Sequence, residues 1–159
     1  TGWRIGYMAS SAEVIKNAAK IQSHSTSNPC SISQRASISA FTADNSIVTE
    51  MVQAFDERRR YLVEQLNNLP QIECLLPKGA FYMFPNISGY FGCKYSGTTI
   101  ENPVDFCSFL LQEASIAFVP GEAFGSSHHV RISYATSLTN LKEMVARLQR
   151  ALASLREMN

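Results

Sequence analysis

Long apolar runs are missing from the sequence. No stretch approaches the roughly 20 consecutive apolar residues that a membrane-crossing helix needs, so no helical membrane span is expected. An excess of one charge is missing too. Fourteen Lys and Arg against thirteen Asp and Glu leave a formal charge of +1, too little to attract nucleic acid or an anionic bilayer, and neither is expected as a partner. The four cysteines, Cys30, Cys74, Cys93 and Cys107, form no C-x-x-C pair, and His24, His128 and His129 stand at no ligand-like spacing from them. That excludes the usual metal-site patterns and leaves reduced thiols in a cytoplasm as the simpler reading. There is no internal repeat, no low-complexity tract, no initiator methionine and no signal-peptide pattern. The chain starts in what reads as a strand and is expected to begin inside a longer protein.

What remains is an ordinary globular composition of 159 residues, 45% hydrophobic and 17% charged, enough for one good core or two incomplete pieces. In Thr1-Gly-Trp-Arg-Ile-Gly-Tyr7, alternation puts Trp3, Ile5 and Tyr7 on one strand face and Arg4 on the other, between Gly2 and Gly6. A cation between two glycines reads either as a space cleared for an anionic ligand or as a structural arginine with an acid partner. Ser10-Ser-Ala-Glu13 resembles a helix start, residues 23–29 read as a polar loop, and a helix is expected from Ser31 toward Phe41. His24, in that loop, reads as a surface residue or a candidate acid or ligand.

A long amphipathic helix is expected from Asp44-Asn-Ser46 to about Leu69. Its Arg58-Arg-Arg60 run shares the helix with Asp56, Glu57 and Glu64, so internal ion pairs on a solvated face are favoured over nucleic-acid contact. Strands are expected at 72–76 and 80–85 around a Pro77-Lys-Gly79 turn, followed by a glycine-rich insertion at 86–99. The insertion's Tyr90, Phe91 and Tyr95 would either close over a ligand or cap the edge of the core. Asn102-Pro-Val-Asp105 opens another helix that turns Phe106, Phe109 and Leu110 inward. Two more strands, 116–119 and 129–134, enclose a Pro-Gly turn and loop, and Ser137 caps a last helix with a Leu141, Met144, Leu148, Leu152 and Leu155 stripe.

On the strand at 129–134, Val130, Ile132 and Tyr134 alternate with His129, Arg131 and Ser133, which puts Arg131 on the polar face. A guanidinium on such a stalk can serve as a two-pronged anion clamp, or it can be an edge arginine paired with a surface acid. From residue 46 the order is helix, two strands, helix, two strands, helix. That order specifies an α/β chain whose residues 46–159 form a compact α+β domain, an antiparallel-rich sheet covered by helices. Residues 1–45 read as the end of another domain.

Six blocks carry a resemblance. Thr1-Gly-Trp-Arg-Ile-Gly-Tyr7, Ser25-Thr-Ser-Asn-Pro29 with Gln34, Phe55 to Arg59 before Leu62, Lys78-Gly-Ala-Phe-Tyr82, Val119-Pro-Gly-Glu-Ala-Phe-Gly125 and Val130-Arg-Ile-Ser-Tyr134 occur in this order. Together they resemble the carboxy-terminal part of the class I pyridoxal-phosphate-dependent aminotransferases, fold-type-I enzymes of the aspartate aminotransferase kind. The resemblance runs nearly end to end. It implies that residues 1–45 are the end of the large cofactor-binding domain and 46–159 the small domain of a cytoplasmic homodimer, acting on an amino acid and a 2-oxo acid.

Residue by residue, the resemblance implies that Arg4 holds the cofactor phosphate and Arg131 the substrate α-carboxylate. It places Ser27 and Asn28 in a loop that approaches the neighbouring subunit's active site. It also implies that the Schiff-base lysine, the aspartate on the ring nitrogen and the groups contacting the ring oxygen precede Thr1. Lys16, Lys20 and Lys78 do not match the lysine's position. No catalytic residue is therefore expected in this chain, which by itself should neither transaminate nor retain pyridoxal phosphate. Lyases of the same fold, and transcription regulators that use such a domain to sense effectors, resemble the same blocks. Two departures stand out. Residues 21–28 hold no arginine of the kind that reaches a second substrate carboxylate in some relatives, and Gly6-Tyr-Met-Ala-Ser10 lacks the Gly-Pro frequent there.

Overall fold

Backbone conformation at two residues decides how the chain begins. In the computed structural model, which describes residues 2–155, Gly2 has φ 92° and Arg4 φ 49°, left-handed values that no β-strand accommodates. The strand expected at the amino terminus is therefore absent among the described residues. The segment lies instead beside a helix, with the Ser33 hydroxyl donating to the Trp3 carbonyl at 2.9 Å and Tyr7 meeting Phe41 edge-on at 5.2 Å. The chain divides into two compact units, Thr1–Ile47 and Val48–Asn159.

The first unit carries α1 (Ala12–Ser25) and α2 (Ser31–Thr42). Helix α1 reaches further than its serine-rich end suggested and takes in Ser23, His24 and Ser25. The Ser23 and Ser25 hydroxyls donate to the carbonyls of Lys20 and Gln22 three residues back, so they lie along the helix instead of competing with it. Proline restricts the residue before it, and the break comes there, at Thr26 to Asn28 ahead of Pro29.

Helix α3 (Ser46–Asn67) buries Leu62 and Leu66. Arg59 and Arg60 both pair with Asp56, Arg59 also donating to Pro77 O at 2.8 Å, while Arg58 lies over the Phe55 ring at 5.1 Å. Two of the three arginines are thus ion-paired within the helix, as its neighbouring acids implied. A three-stranded antiparallel sheet follows, with β1 (Tyr82–Met83) and β4 (Val119–Pro120) on either side of β5 (Val130–Ser133). Tyr82 stands opposite Ser133 and Val119 opposite Arg131. Between β1 and β4 lie a small hairpin, β2 (Lys94–Tyr95) and β3 (Thr98–Thr99), and helix α4 (Pro103–Ala114). The hairpin turns through Ser96 and Gly97, both at positive φ, as two-residue turns require.

Helix α4 starts where its sequence says it should. The Asn102 side chain accepts from the Val104 and Asp105 amides, Pro103 occupies the first turn, and Ser115 at φ 52° ends the helix. Helix α5 (Leu138–Ala153) is capped by the Ser137 hydroxyl, which accepts from Asn140 N at 3.1 Å. Leu62, Leu66, Met83, Phe106, Leu110, Val130, Leu141 and Leu148, drawn from three helices and two strands, share one core. The result is the expected mixture of helices and antiparallel sheet.

The expected strands are shorter than the sequence implied, for local reasons. Residues 72–76 make only an isolated bridge from Glu73 to Asn86, because the Asn67 side chain takes both backbone groups of Cys74 that a ladder would use, at 2.8 and 3.0 Å. At 80–85, Ala80 at φ 59° delays the strand and Pro85 offers no amide to extend it. The strand expected at 116–119 is displaced to Val119–Pro120, since the Ile116 amide donates to Leu110 O at the end of α4. The insertion's aromatics cap the core. Tyr90 is buried with its hydroxyl on Pro70 O, Tyr95 packs on Phe109 at 4.9 Å, and Phe91 lies against the same cluster.

Candidate functional site

Strand β5 is the central strand of its sheet, and its alternation is complete. Val130, Ile132 and Tyr134 are 0%, 3% and 1% exposed, which leaves Arg131 on the opposite face with its stem fixed by buried neighbours. Tyr134 tightens this anchorage, its amide donating to Phe81 O and its hydroxyl to Ala80 O at 2.8 Å. The guanidinium carbon of Arg131 lies 4.4 Å from the centroid of Tyr82 and 4.3 Å from that of Phe124. Tyr82 comes from β1 on one side of β5, and Phe124 from the turn after β4 on the other.

The ion pairs among the described residues are Arg59 and Arg60 with Asp56, and Arg147 with Glu143. Arg131 has no such partner. Its N–H donors, half-buried and unclaimed by a carboxylate, remain available to an anion, and the planar fork matches a carboxylate in two parallel hydrogen bonds.

The turn that presents Phe124 is a 3₁₀ segment, Gly121–Phe124, closed by Gly125 at φ 82°. It can form only on glycine. A Cβ at Gly121 would stand 2.3 Å from His129 O and 2.6 Å from Ser126 O, both backbone atoms. Phe124 in turn meets Phe84 edge-on at 6.2 Å, Phe84 stacks on His129 at 4.9 Å with 8° between planes, and Ser126 Oγ lies 2.7 Å from His129 Nδ1.

Arg4 belongs to the first unit and Arg131 to the second. Arg4 is exposed, in the left-handed conformation, between glycines at which an added Cβ would meet nothing within 4 Å. Among the described residues no carboxylate lies within ion-pair distance of it. Ser27 and Asn28 form the link after α1. Ser27 is at φ 63° and donates its amide to Gln22 O at 2.9 Å, while the Asn28 side chain donates to Pro29 O at 3.0 Å.

The sequence reading singled out Arg131 but assigned nothing to Tyr82 or Phe124, although both lie in the blocks it quoted. The pairing of β1 with β5 is the signal that could have found Tyr82, because a residue opposite Ser133 sits diagonally beside Arg131. Among the described residues no group of three His, Cys, Asp or Glu side chains is placed to hold a metal.

The family described as aminotransferase class I and II matches residues 1–148. The aspartate aminotransferase of Rhizobium meliloti (strain 1021) is 45% identical over 152 residues, covering 95% of this chain and 37% of its own length. A probable aspartate/prephenate aminotransferase of Rickettsia bellii is 46% identical over 156 residues, covering 98% of this chain and 39% of its own. Among solved structures, an aspartate aminotransferase from Rhizobium meliloti superposes with a TM-score of 0.89 at 44% identity, covering 98% of this chain and 39% of that one. An aromatic aminotransferase from Pyrococcus horikoshii gives 0.82 at 35% identity, with 96% and 39% covered. The chain thus spans less than two-fifths of the length of the curated relatives named here.

Proposed function

The chain belongs to the class I and II aminotransferases, and on that footing we propose that it is the carboxy-terminal part of a pyridoxal-phosphate-dependent enzyme moving an amino group between an L-amino acid and a 2-oxo acid. Residues 46–159 are its small domain and 1–45 the end of its large domain, in a cytoplasmic homodimer whose Ser27–Asn28 loop reaches toward the neighbouring subunit. The observation that carries this reading is Arg131, a strand-mounted guanidinium with no acid partner among the described residues. Two parallel hydrogen bonds from it fix both the position and the plane of a substrate α-carboxylate, so the rest of the amino acid is presented in one orientation.

Arg4 suits the phosphate of the cofactor. It is a cation without an acid partner among the described residues, and the glycines on either side leave open space where a phosphate could lie against the backbone. Pyridoxal phosphate, when bound, supplies the electron-withdrawing ring that makes the amino acid's α-proton acidic. Arg4 and Arg131 bind and orient, and neither moves a proton. Since none of Lys16, Lys20 and Lys78 matches the position of the Schiff-base lysine, chain 1–159 alone is proposed to be inactive and not to retain pyridoxal phosphate.

Aspartate enters as the first amino donor to test because it stands in the relatives' names. Its second carboxylate would be read by a residue outside 21–28, which hold no arginine. The relatives' names also favour transamination over the lyase and regulator readings. The full-length protein supplied with pyridoxal phosphate is expected to turn yellow and to convert L-aspartate and 2-oxoglutarate to oxaloacetate and L-glutamate. Failure to form the chromophore would overturn the cofactor assignment, and turnover by chain 1–159 alone would overturn its proposed inactivity.

A further inference from the structure

We propose that Tyr82 and Phe124 are positioning residues that hold the Arg131 guanidinium in one plane for the incoming carboxylate. The proposal rests on the reading of Arg131 given above and assigns the two rings a part in it. A free arginine side chain samples many rotamers, and binding a carboxylate would have to select one of them. Here the selection is already made, because the guanidinium carbon lies within 4.4 Å of one ring centroid and 4.3 Å of another, drawn from opposite sides of β5. Each ring attracts the cation through its negative face and displaces water that would otherwise compete for the N–H donors.

Phe124 is not a core side chain. It is 46% exposed, and its Phe84 neighbour is 38% exposed. It is nevertheless well anchored. The turn that carries it closes only on Gly121, and the edge contact to Phe84, the Phe84 stack on His129 and the 2.7 Å contact from His129 to Ser126 tie the ring to its own loop. An exposed ring fixed this firmly against an unpaired guanidinium is suited to orienting it.

The test uses the full-length protein with pyridoxal phosphate, L-aspartate and 2-oxoglutarate. Phe124→Leu and Tyr82→Leu are each expected to raise KM for both substrates about 5- to 30-fold, the range that loss of a partly desolvated cation–π contact implies. The same variants should change kcat less than about 3-fold, since the interaction is made equally in the ground and transition states. Phe124→Tyr and Tyr82→Phe keep a ring and are expected to restore KM to within about 2-fold. Leucine variants with wild-type KM, kcat losses with KM unchanged, or aromatic variants that fail to restore KM would each overturn the proposal. Phe124→Leu alters an exposed side chain and keeps the test available should Tyr82→Leu not fold. Arg131→Lys, which retains the charge without the fork, separates the two ideas. If it weakens binding while both leucine variants do not, only the role of the rings falls. If it leaves KM unchanged, the reading of Arg131 itself falls.

Discussion

Replacing Gly121 by alanine tests whether the turn that presents Phe124 is dictated by a backbone contact. The added methyl would lie 2.3 Å from His129 O and 2.6 Å from Ser126 O, and neither atom belongs to a side chain that can swing away. Ordinary carbon–oxygen contacts begin near 3.3 Å, so the loop would have to open by about 1 Å. The Ser126 amide donates to Gly121 O at 3.0 Å, and this bond would be strained by the same movement. Overpacking of this kind costs about 1–3 kcal/mol. For a chain of this size each kcal/mol lowers the melting temperature by about 2–4 °C. The assay is urea or thermal unfolding of Gly121→Ala beside Gly79→Ala, whose Cβ would meet nothing within 4 Å and whose φ lies outside the left-handed region. Gly79→Ala is expected to be neutral or to stabilise by up to about 1 kcal/mol. If Gly121→Ala unfolds with the wild type, the loop can relax and the reasoning fails.

Three other outcomes follow from contacts in the second unit and from the thiols. Tyr134→Phe removes the hydroxyl that donates to Ala80 O and leaves that carbonyl short of a partner beside a buried ring, so a loss of about 1–2 kcal/mol in unfolding free energy is expected. The hydrogen bonds from Arg60 and then Arg59 hold the Asp56 carboxyl below its ordinary value. A carboxyl lowered by folding contributes stability that is present above its unfolded value and is lost as pH falls through its folded one. The stability difference between wild type and Asp56→Asn should therefore be steady near neutrality, shrink below about pH 4, and diminish in high salt because the pair is exposed. Among the thiols, burial pushes Cys74 up to about 11 and Cys107 up to about 12. Cys30 is exposed, and the backbone N–H groups of Ser33 and Ile32 hold it below its ordinary value. Iodoacetamide at pH 8 should modify Cys30 quickly and the buried Cys74, Cys93 and Cys107 only on unfolding. Rapid labelling of Cys107 would show that α4 opens readily.

Local signals in the sequence translated directly into structure. Asn102-Pro103 and Ser137 mark helix starts because a short polar side chain and a proline satisfy or remove orphan amides whatever the rest of the chain does. The alternation of Val130, Ile132 and Tyr134 located Arg131 on the polar face by periodicity alone. Features decided by non-local partners were not legible. Residues 72–76 look like a strand until Asn67, from the helix before, takes the Cys74 backbone. Residues 2–8 alternate like a strand, but alternation does not reveal that Arg4 adopts a positive φ. Tyr82 is far from Arg131 along the chain and Phe124 seven residues away in the turn before β5, and only the order of strands around β5 and the closure of that turn bring both rings to the guanidinium.

The central claim is that Arg131 receives the substrate carboxylate, and the most direct test is the kcat/KM of Arg131→Ala in the full-length protein. Loss of a charged hydrogen bond worth about 1.5–3 kcal/mol should lower kcat/KM for L-aspartate by roughly 10- to 150-fold, with the yellow chromophore intact. A mutant that binds the cofactor and retains wild-type kcat/KM would contradict it.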